Sequence, residues 1–180
     1  MSLLKIYKGN DIQIFNEKKD IIKTLASYGI IFEEWKADAA MSEKADQEEV
    51  LKAYDTSVKK LMKDRGFLAA DVVSIQPQTQ NHKEFRKKYI EEHTHDDDEA
   101  RFFVDGSGLF YINAGELVFG LLCEKGDLIN VPAGTKHWFD MGPSPFFKCI
   151  RVFKTPEGWV GKFTGSGISK NYPLFENFKN

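Results

Sequence analysis

Residues 91–106 read EEHTHDDDEARFFVDG and carry a dense set of metal-binding side chains. His93 and His95 are two residues apart, so on a β-strand their side chains point to the same face. Glu99 follows a short acidic turn and can return a carboxylate to the same point. An H-x-H pair alone is a weak indication of metal binding, and the aspartate run 96–98 alone is typical of a solvated turn.

A second stretch, residues 126–140, reads GDLINVPAGTKHWFD. Pro132 and Gly134 predict a turn that delivers His137 from a different strand. Three imidazoles and one carboxylate make a mixed nitrogen and oxygen ligand set, which iron, nickel, manganese and copper all accept. Zinc is possible, although it usually takes a tighter tetrahedral site. Four protein ligands leave two positions of a six-coordinate ion open, which indicates a substrate-binding metal.

The chain around these two stretches reads as a β-rich fold after residue 90. Short aromatic and β-branched runs alternate with Gly and Pro turns, which predicts a sandwich or small barrel. The predicted strands are 101–104, 108–113, 116–123, 127–131, 137–140, 146–153 and 159–163.

Residues 1–90 mix helices and strands. Helical periodicity predicts helices over 16–28, with Asn16 as N-cap, over 47–64 and over 82–90. Strands are predicted over 3–7, as an edge strand, over 30–35 and over 71–75. With no linker or repeat in between, we predict one domain over residues 1–180. It consists of an α/β region (1–90) packed on a barrel core (91–165), and a C-terminal tail (166–180).

Composition limits the functional classes. The 180 residues are 42% hydrophobic and 29% charged, with a formal net charge of −2. No basic block stands out, so we expect no nucleic-acid partner. No apolar stretch resembles a signal peptide or a membrane span, so we expect a cytoplasmic protein away from membranes. Cys123 and Cys149 lie in apolar runs, which favours buried reduced thiols. No long exposed apolar seam is visible, which favours a monomer.

The two stretches together are similar to the paired motifs of the cupin superfamily. They match H-x-H-x3-E-x6-G over residues 93–106 and G-x5-P-x-G-x2-H over residues 126–137. Two positions depart from the motifs, with Lys87 where Gly usually opens the first and Met141 where Asn usually ends the second. The resemblance implies a mostly β fold, a jelly-roll barrel with flanking helices.

Within cupins the chain resembles the acireductone dioxygenase family over nearly its whole length. The resemblance is carried by three stretches, EHTHDDDEARFFVDGSGLF (92–110), VPAGTKHWFDMG (131–142) and PEGWVGKFTG (156–165). One position departs from the family pattern: Ala100 stands in place of a larger aliphatic residue beside the pocket. The resemblance implies that His93, His95, Glu99 and His137 bind one divalent transition metal per chain, Fe(II) or Ni(II).

The same resemblance assigns further residues. Arg101 is implied to act on the substrate side of the site, where a buried guanidinium needs an anion, either an acidic enediol or a core carboxylate. Glu92 is implied in metal incorporation and Asp98 in conformational coupling, and a solvated turn would explain both equally. Phe139 shares the strand face of His137, which makes it a predicted pocket wall. Trp159 and Arg151 are weaker pocket candidates, for which packing or surface pairing is the alternative.

The implied reaction is the cleavage of 1,2-dihydroxy-3-keto-5-methylthiopentene by O2 in methionine salvage. Iron would give 4-methylthio-2-oxobutanoate and formate, whereas nickel would give 3-(methylthio)propanoate, formate and CO. Two other functions stay open at this point: a cupin isomerase or dioxygenase acting on another small molecule, and a metal-bound cupin that binds a ligand without catalysis.

Overall fold

The structure is a computed structural model that describes residues 2–42, 44–155 and 160–180. Four α-helices, eleven strands and two short 3-10 helices, Ile168–Asn171 and Phe175–Asn177, lie in this part of the chain. In chain order the others are β1 (Leu3–Lys8), β2 (Asp11–Phe15), α1 (Lys18–Ala26), β3 (Ile31–Glu34), α2 (Gln47–Ala53), α3 (Asp55–Arg65), β4 (Ala69–Ile75), α4 (His82–Tyr89), β5 (His93–Thr94), β6 (Glu99–Asn113), β7 (Val118–Glu124), β8 (Asp127–Val131), β9 (Lys136–Asp140), β10 (Phe147–Phe153) and β11 (Lys162–Phe163).

Strand β6 organises the barrel because it belongs to two sheets. Its first half pairs with β8 on one side and β10 on the other, and these extend to β3 and β4. Its second half pairs with β7 and β9, in the order β11-β5-β9-β6-β7-β1-β2. The bend falls at Gly106, whose φ is 72°. A Cβ there would lie 1.9 Å from the Phe146 carbonyl oxygen, so only glycine fits this approach.

The bend also reverses which side chains face the barrel interior. Before it, Glu99 and Phe103 point inward, whereas after it Phe110 and Ile112 do. The inward-facing positions therefore change from odd-numbered to even-numbered residues. The ladder between β6 and β10 carries a register irregularity at Lys148 and Cys149, which matches this change. The interior cluster includes Phe103, Phe110, Ile129, Phe139, Phe147 and Cys149.

Two further apolar clusters cover the outside of the barrel. The helix-side cluster joins α2 and α3 to the outer face of β6 and β10, through residues that include Val50, Val58, Leu61, Ala100, Phe102 and Ile150. The tail-side cluster packs the C-terminal segment onto the other sheet, through residues that include Tyr7, Tyr111, Trp138 and Phe178. Helices α2 and α3 and the C-terminal segment therefore cover opposite sheets.

The predicted barrel with flanking helices is confirmed, and the predicted bounds of β8 and of the strand ending at Phe153 fit the structure closely. The strands predicted over 101–104 and 108–113 are one strand, because its pairing passes from β10 at Gly106 directly to β7 at Ser107. The helix predicted over 47–64 is two helices. Tyr54 leaves the helical conformation at φ −113° and packs its ring 5.1 Å from that of Phe102.

Two N-terminal predictions were wrong in detail, and one strand was missed. Strand β1 is not an edge strand, because it pairs with β7 as well as with β2. Strand β2 was not predicted, and it forms a hairpin with β1. Helix α1 begins one residue later than an Asn16 cap requires, because Glu17 is its N-cap and its backbone oxygen accepts from Asp20 and Ile21. No helix among the described residues is long and apolar enough to cross a membrane.

Candidate metal centre

Three histidines meet inside the barrel, as their sequence spacing predicts. His93 on β5 is the direct cross-strand partner of His137 on β9, and His95 follows two residues after His93. The ring centroids lie 4.6 to 5.1 Å apart. One potential ligand atom from each ring can be chosen so that all three lie within 4.8 Å of one another, and all three residues are buried. The triad therefore forms a site for a divalent metal ion.

Backbone carbonyls orient two of these rings. Nδ1 of His93 lies 2.7 Å from the Glu91 oxygen, and Nδ1 of His137 lies 2.7 Å from the Thr135 oxygen. A carbonyl oxygen only accepts hydrogen bonds, so each Nδ1 carries a proton, and Nε2 is the atom of each ring that can bind a metal. Second partners of this kind are usual around metal-ligating histidines, because they set the tautomer and the ring orientation.

Glu99 brings its carboxylate to the same point. Its Oε2 lies 2.7 Å from His137 Nε2 and 3.4 Å from His95 Nε2, and the side chain is 2% exposed. A carboxylate oxygen and an imidazole nitrogen at this distance repel each other unless a proton or a metal cation lies with them. The donor set fits a divalent cation, because one ion would satisfy the carboxylate and the imidazole nitrogens together.

The environment sets the charge states that a metal needs. Burial, followed by the neighbouring His137, lowers the pKa of His93 to about 4, so its ring is neutral at pH 7. Burial alone would raise the pKa of the Glu99 carboxyl, but the neighbouring Arg101 guanidinium holds it well below its usual value. His93 and Glu99 are thus already in the protonation states that metal binding needs at neutral pH.

Arg101 lies beside the carboxylate, on the inward face of β6. Its Nε is 2.6 Å from Glu99 Oε1, so a core carboxylate is one of its partners. Its guanidinium carbon lies 5.1 Å from the Phe139 ring centroid and 5.6 Å from that of Phe110. Both distances fall in the range of cation–π contacts, which hold the planar group in place. Phe139 faces the interior, as its strand parity with His137 predicts.

Arg151 also faces the barrel interior, next to Arg101. It is the cross-strand partner of Arg101 on one side and of Asp71 on the other. Its Nε donates to Asp71 Oδ1 at 2.7 Å, and its Nη2 donates to Asp71 Oδ2. This is the pairing that the sequence left as the alternative to a pocket role. Trp159, the other weak pocket candidate, lies outside the described residues.

Glu92 is almost fully buried, although it precedes a metal ligand by one residue. Its carboxylate accepts from Asn113 Nδ2 at 2.6 Å, Thr164 Oγ1 at 2.6 Å and Ser166 Oγ at 2.8 Å. Burial by itself would raise the pKa of this carboxyl, but these bonds lower it. The visible role of Glu92 is to tie the chain after β11 to the chain before β5. Its part in metal incorporation stays a prediction.

The aspartate run 96–98 is more than a solvated turn. Each carboxylate contacts a different segment: Asp96 with Lys162 at 2.7 Å, Asp97 with the Thr155 backbone and hydroxyl at 3.0 and 2.9 Å, and Asp98 with the Ala133 backbone N–H at 3.0 Å. The run thereby links the first ligand segment to the Pro132 turn and to the chain on either side of residues 156–159. The conformational role of Asp98 stays a prediction.

Several neighbours of the site were not predicted. The carbonyl oxygens of Glu91 and Thr135 leave no signal in a sequence, because any residue supplies one. Phe110 was missed because parity counted along β6 fails at the Gly106 bend. Ala100 was expected beside the pocket, but it faces the helix-side cluster, since neighbours on a strand point to opposite faces.

Comparisons with known proteins agree with this geometry. Residues 8–161 match the model of the ARD/ARD' family. An acireductone dioxygenase from Hydrogenobaculum sp. (strain Y04AAS1) is 50% identical over 179 residues, 98% of either chain. Another, from Aquifex aeolicus (strain VF5), is 44% identical over 182 residues, 100% of either chain.

A solved structure extends the likeness to three dimensions. Acireductone dioxygenase from Bacillus anthracis, with a cadmium ion in its active centre, superposes with a TM-score of 0.81 at 29% identity. The match covers 91% of this chain and 98% of that chain. Taken with the family match and the converging imidazoles, these findings establish that the chain belongs to the ARD/ARD' family.

Proposed function

We propose that this protein is an acireductone dioxygenase, which cleaves 1,2-dihydroxy-3-keto-5-methylthiopentene with O2 in methionine salvage. One observation carries the proposal: three imidazoles and a carboxylate converge in the barrel directly beside a guanidinium held over two phenylalanine rings. Family membership and near full-length relatives of that name support it.

His93, His95, Glu99 and His137 are the residues that would hold the metal, which we propose is Fe(II) or Ni(II). The mixed nitrogen and oxygen set suits both ions. When bound, such an ion supplies a Lewis acid that stabilises negative charge on substrate oxygens and a template that orients them. The Nδ1 bonds of His93 and His137 keep the donor atoms aimed at the centre without rearrangement.

Arg101 is proposed to bind the acidic enediol of the substrate and to favour its dianion. A guanidinium has five N–H donors in a fixed plane, so it can contact Glu99 and donate to an enediolate as well. Phe110 and Phe139 hold the guanidinium and exclude water around it, which strengthens its interaction with a developing negative charge. Phe139, Arg151 and Trp159 are proposed to complete the pocket.

The products are proposed to depend on the metal. With iron, the six carbons of the substrate and both atoms of O2 leave as formate and 4-methylthio-2-oxobutanoate. With nickel, the same atoms leave as 3-(methylthio)propanoate, formate and CO.

Oxygen uptake with synthetic acireductone tests the proposal. Protein reconstituted with Fe(II) should consume one O2 per substrate and release one formate, and the Ni(II) protein should also release CO. A metal-loaded protein without uptake would reject the dioxygenase, leaving an isomerase or a binding protein. The control is protein treated identically with Mg2+, an ion that prefers oxygen ligands.

Metal content tests the ligand assignment separately. His95→Ala should bind less than a tenth of the metal that the wild type binds, as measured by elemental analysis after dialysis. His82→Ala is the matched control, because His82 lies on α4 away from the triad and its Nδ1 contacts the Thr79 carbonyl. Equal metal in both variants would contradict the ligand role.

All four proposed ligands come from one chain, so we propose that a monomer is the working unit. Sedimentation velocity of the active enzyme should show a single species near the 20.6 kDa chain mass. Activity confined to a larger species would contradict this.

A further inference from the structure

A row of charged side chains crosses the inner face of one sheet. Arg101, Arg151 and Asp71 are successive cross-strand partners on β6, β10 and β4. Their neighbours on these strands confirm the face, since Cys149 and Val73 pack in the interior cluster whereas Ile150 and Val72 pack in the helix-side cluster.

The two arginines of this row are an unusual pair. Cross-strand partners have Cβ atoms roughly 5 Å apart, and like charges in such positions destabilise a sheet. Each arginine has its own carboxylate, Glu99 for Arg101 and Asp71 for Arg151. The two arginines therefore put two positive groups on one face of the sheet, an arrangement that attracts an anion.

Asp71 determines where the second guanidinium points. It accepts two hydrogen bonds from Arg151, in the side-by-side geometry that fixes a guanidinium plane. Asp71 is on β4, the last strand on its side of this sheet, and the pair is partly exposed, at 27% and 30%. Without Asp71, the Arg151 guanidinium would lose the two hydrogen bonds that set its plane.

We propose that Asp71 is a positioning residue for substrate binding: its two hydrogen bonds fix the Arg151 guanidinium on the sheet face that Arg101 shares, so that the two guanidinium groups together receive an anionic substrate. This inference rests on the proposed function of the site. It predicts an effect on substrate affinity, whereas a purely structural ion pair would affect only stability, and a partly exposed one only slightly.

Asp71→Asn tests the inference, because the amide has nearly the same size but no charge. The KM for acireductone should rise about tenfold, with kcat within about twofold and metal content unchanged. Asp71→Glu should recover much of the loss, because it restores the carboxylate. The matched control is Asp64→Asn, which removes a carboxylate paired with Lys60 on the surface of α3.

A double-mutant cycle separates positioning from any direct role. If Asp71 acts through Arg151, the Asp71→Asn/Arg151→Gln variant should have the same KM as Arg151→Gln alone. Additive effects would overturn the inference, as would an unchanged KM in Asp71→Asn while the wild type is active.

A binding measurement keeps the test independent of turnover. Squarate is a dianionic enediol that does not react with O2, and its affinity for Ni(II)-loaded protein can be measured by calorimetry. Its Kd should rise about tenfold in Asp71→Asn and no further in the double variant. A wild type that binds squarate but consumes no O2 would refute the proposed reaction and leave the role of Asp71 standing. Equal Kd values in wild type and Asp71→Asn, or a wild type that binds no squarate, would overturn the inference.

Discussion

A buried histidine that binds a metal through Nε2 usually donates the proton on its other nitrogen to a partner. In His93 and His137 that partner is a backbone carbonyl two residues earlier, at Glu91 and Thr135. The sequence predicted that these side chains converge, because strand spacing fixes which of them point to the same face. It could not predict their orientation, because the accepting oxygens belong to the backbone.

The guanidinium of Arg101 should matter for turnover and not for metal binding. In Arg101→Met, which keeps much of the side-chain length but loses the charge, we expect kcat/KM to fall by about 100-fold or more with metal content retained. Arg101→Lys should recover only part of the activity, since an ammonium lacks the planar donors. Arg65→Met is the control, because Arg65 pairs with Glu33 far from the triad in sequence and structure. Unchanged activity in Arg101→Met would contradict the substrate role.

The buried histidine also makes the metal-free protein sensitive to acid. His93 has a pKa of about 4 in the folded state, against about 6.5 when unfolded, so between these values the unfolded chain binds more protons. Stability should therefore be complete above pH 6.5 and fall as the pH drops toward 4. The lowered pKa of Glu99 acts in the same direction below its unfolded value.

Urea unfolding of the metal-free protein at several pH values measures this pH dependence of stability. We expect His93 to contribute a loss of about 2 kcal/mol between pH 7 and pH 5. His93→Gln should reduce that loss, whereas His82→Gln should not. Equal pH dependence in wild type and His93→Gln would contradict the assignment.

At the scale of elements, strand β6 shows what a local sequence pattern can and cannot predict. Both halves of the strand were predicted, but the glycines between them were taken as a turn. Gly106 instead bends the strand while the ladders to β10 and β7 continue on either side. A glycine that ends a strand and one that bends it look the same in a sequence, because the difference depends on which strand approaches.

Gly106→Ala should therefore be strongly destabilising. The new Cβ would meet the Phe146 carbonyl, and the alanine would have to keep a positive φ. We therefore expect the free energy of unfolding in urea to fall by about 3 kcal/mol or more. Gly115→Ala is the matched control, because Gly115 also has a positive φ, 83°, but nothing lies within 4 Å of its Cβ position. It should lose only about 1 kcal/mol. Similar losses in both variants would show that backbone conformation alone sets the cost.

At the scale of the whole molecule, the N-terminal region and the barrel share their apolar clusters. Helices α2 and α3 pack on the outer face of β6 and β10, and β1 pairs directly with β7. The sequence predicted that the helices would cover the barrel, since their amphipathic stripes needed a partner. It did not predict which sheet each segment covers, because that depends on pairings between strands distant in the chain.

We accordingly propose that residues 1–180 unfold as one domain. The four α-helices all lie before residue 90, so far-UV circular dichroism reports mainly on that region. In a Trp35→Phe background, fluorescence reports on Trp138 of the tail-side cluster, and on Trp159. Both signals should give the same urea midpoint. Two separated midpoints would contradict a single domain.

The continuous strand through both sheets has a consequence for how this enzyme could evolve. Two sheets joined only by loops can slide or open, but here any widening of the barrel would have to break backbone pairing on both flanks of β6. The internal width is therefore a property of the scaffold. A different substrate would have to be accommodated by exchanging the side chains that line the interior, one at a time.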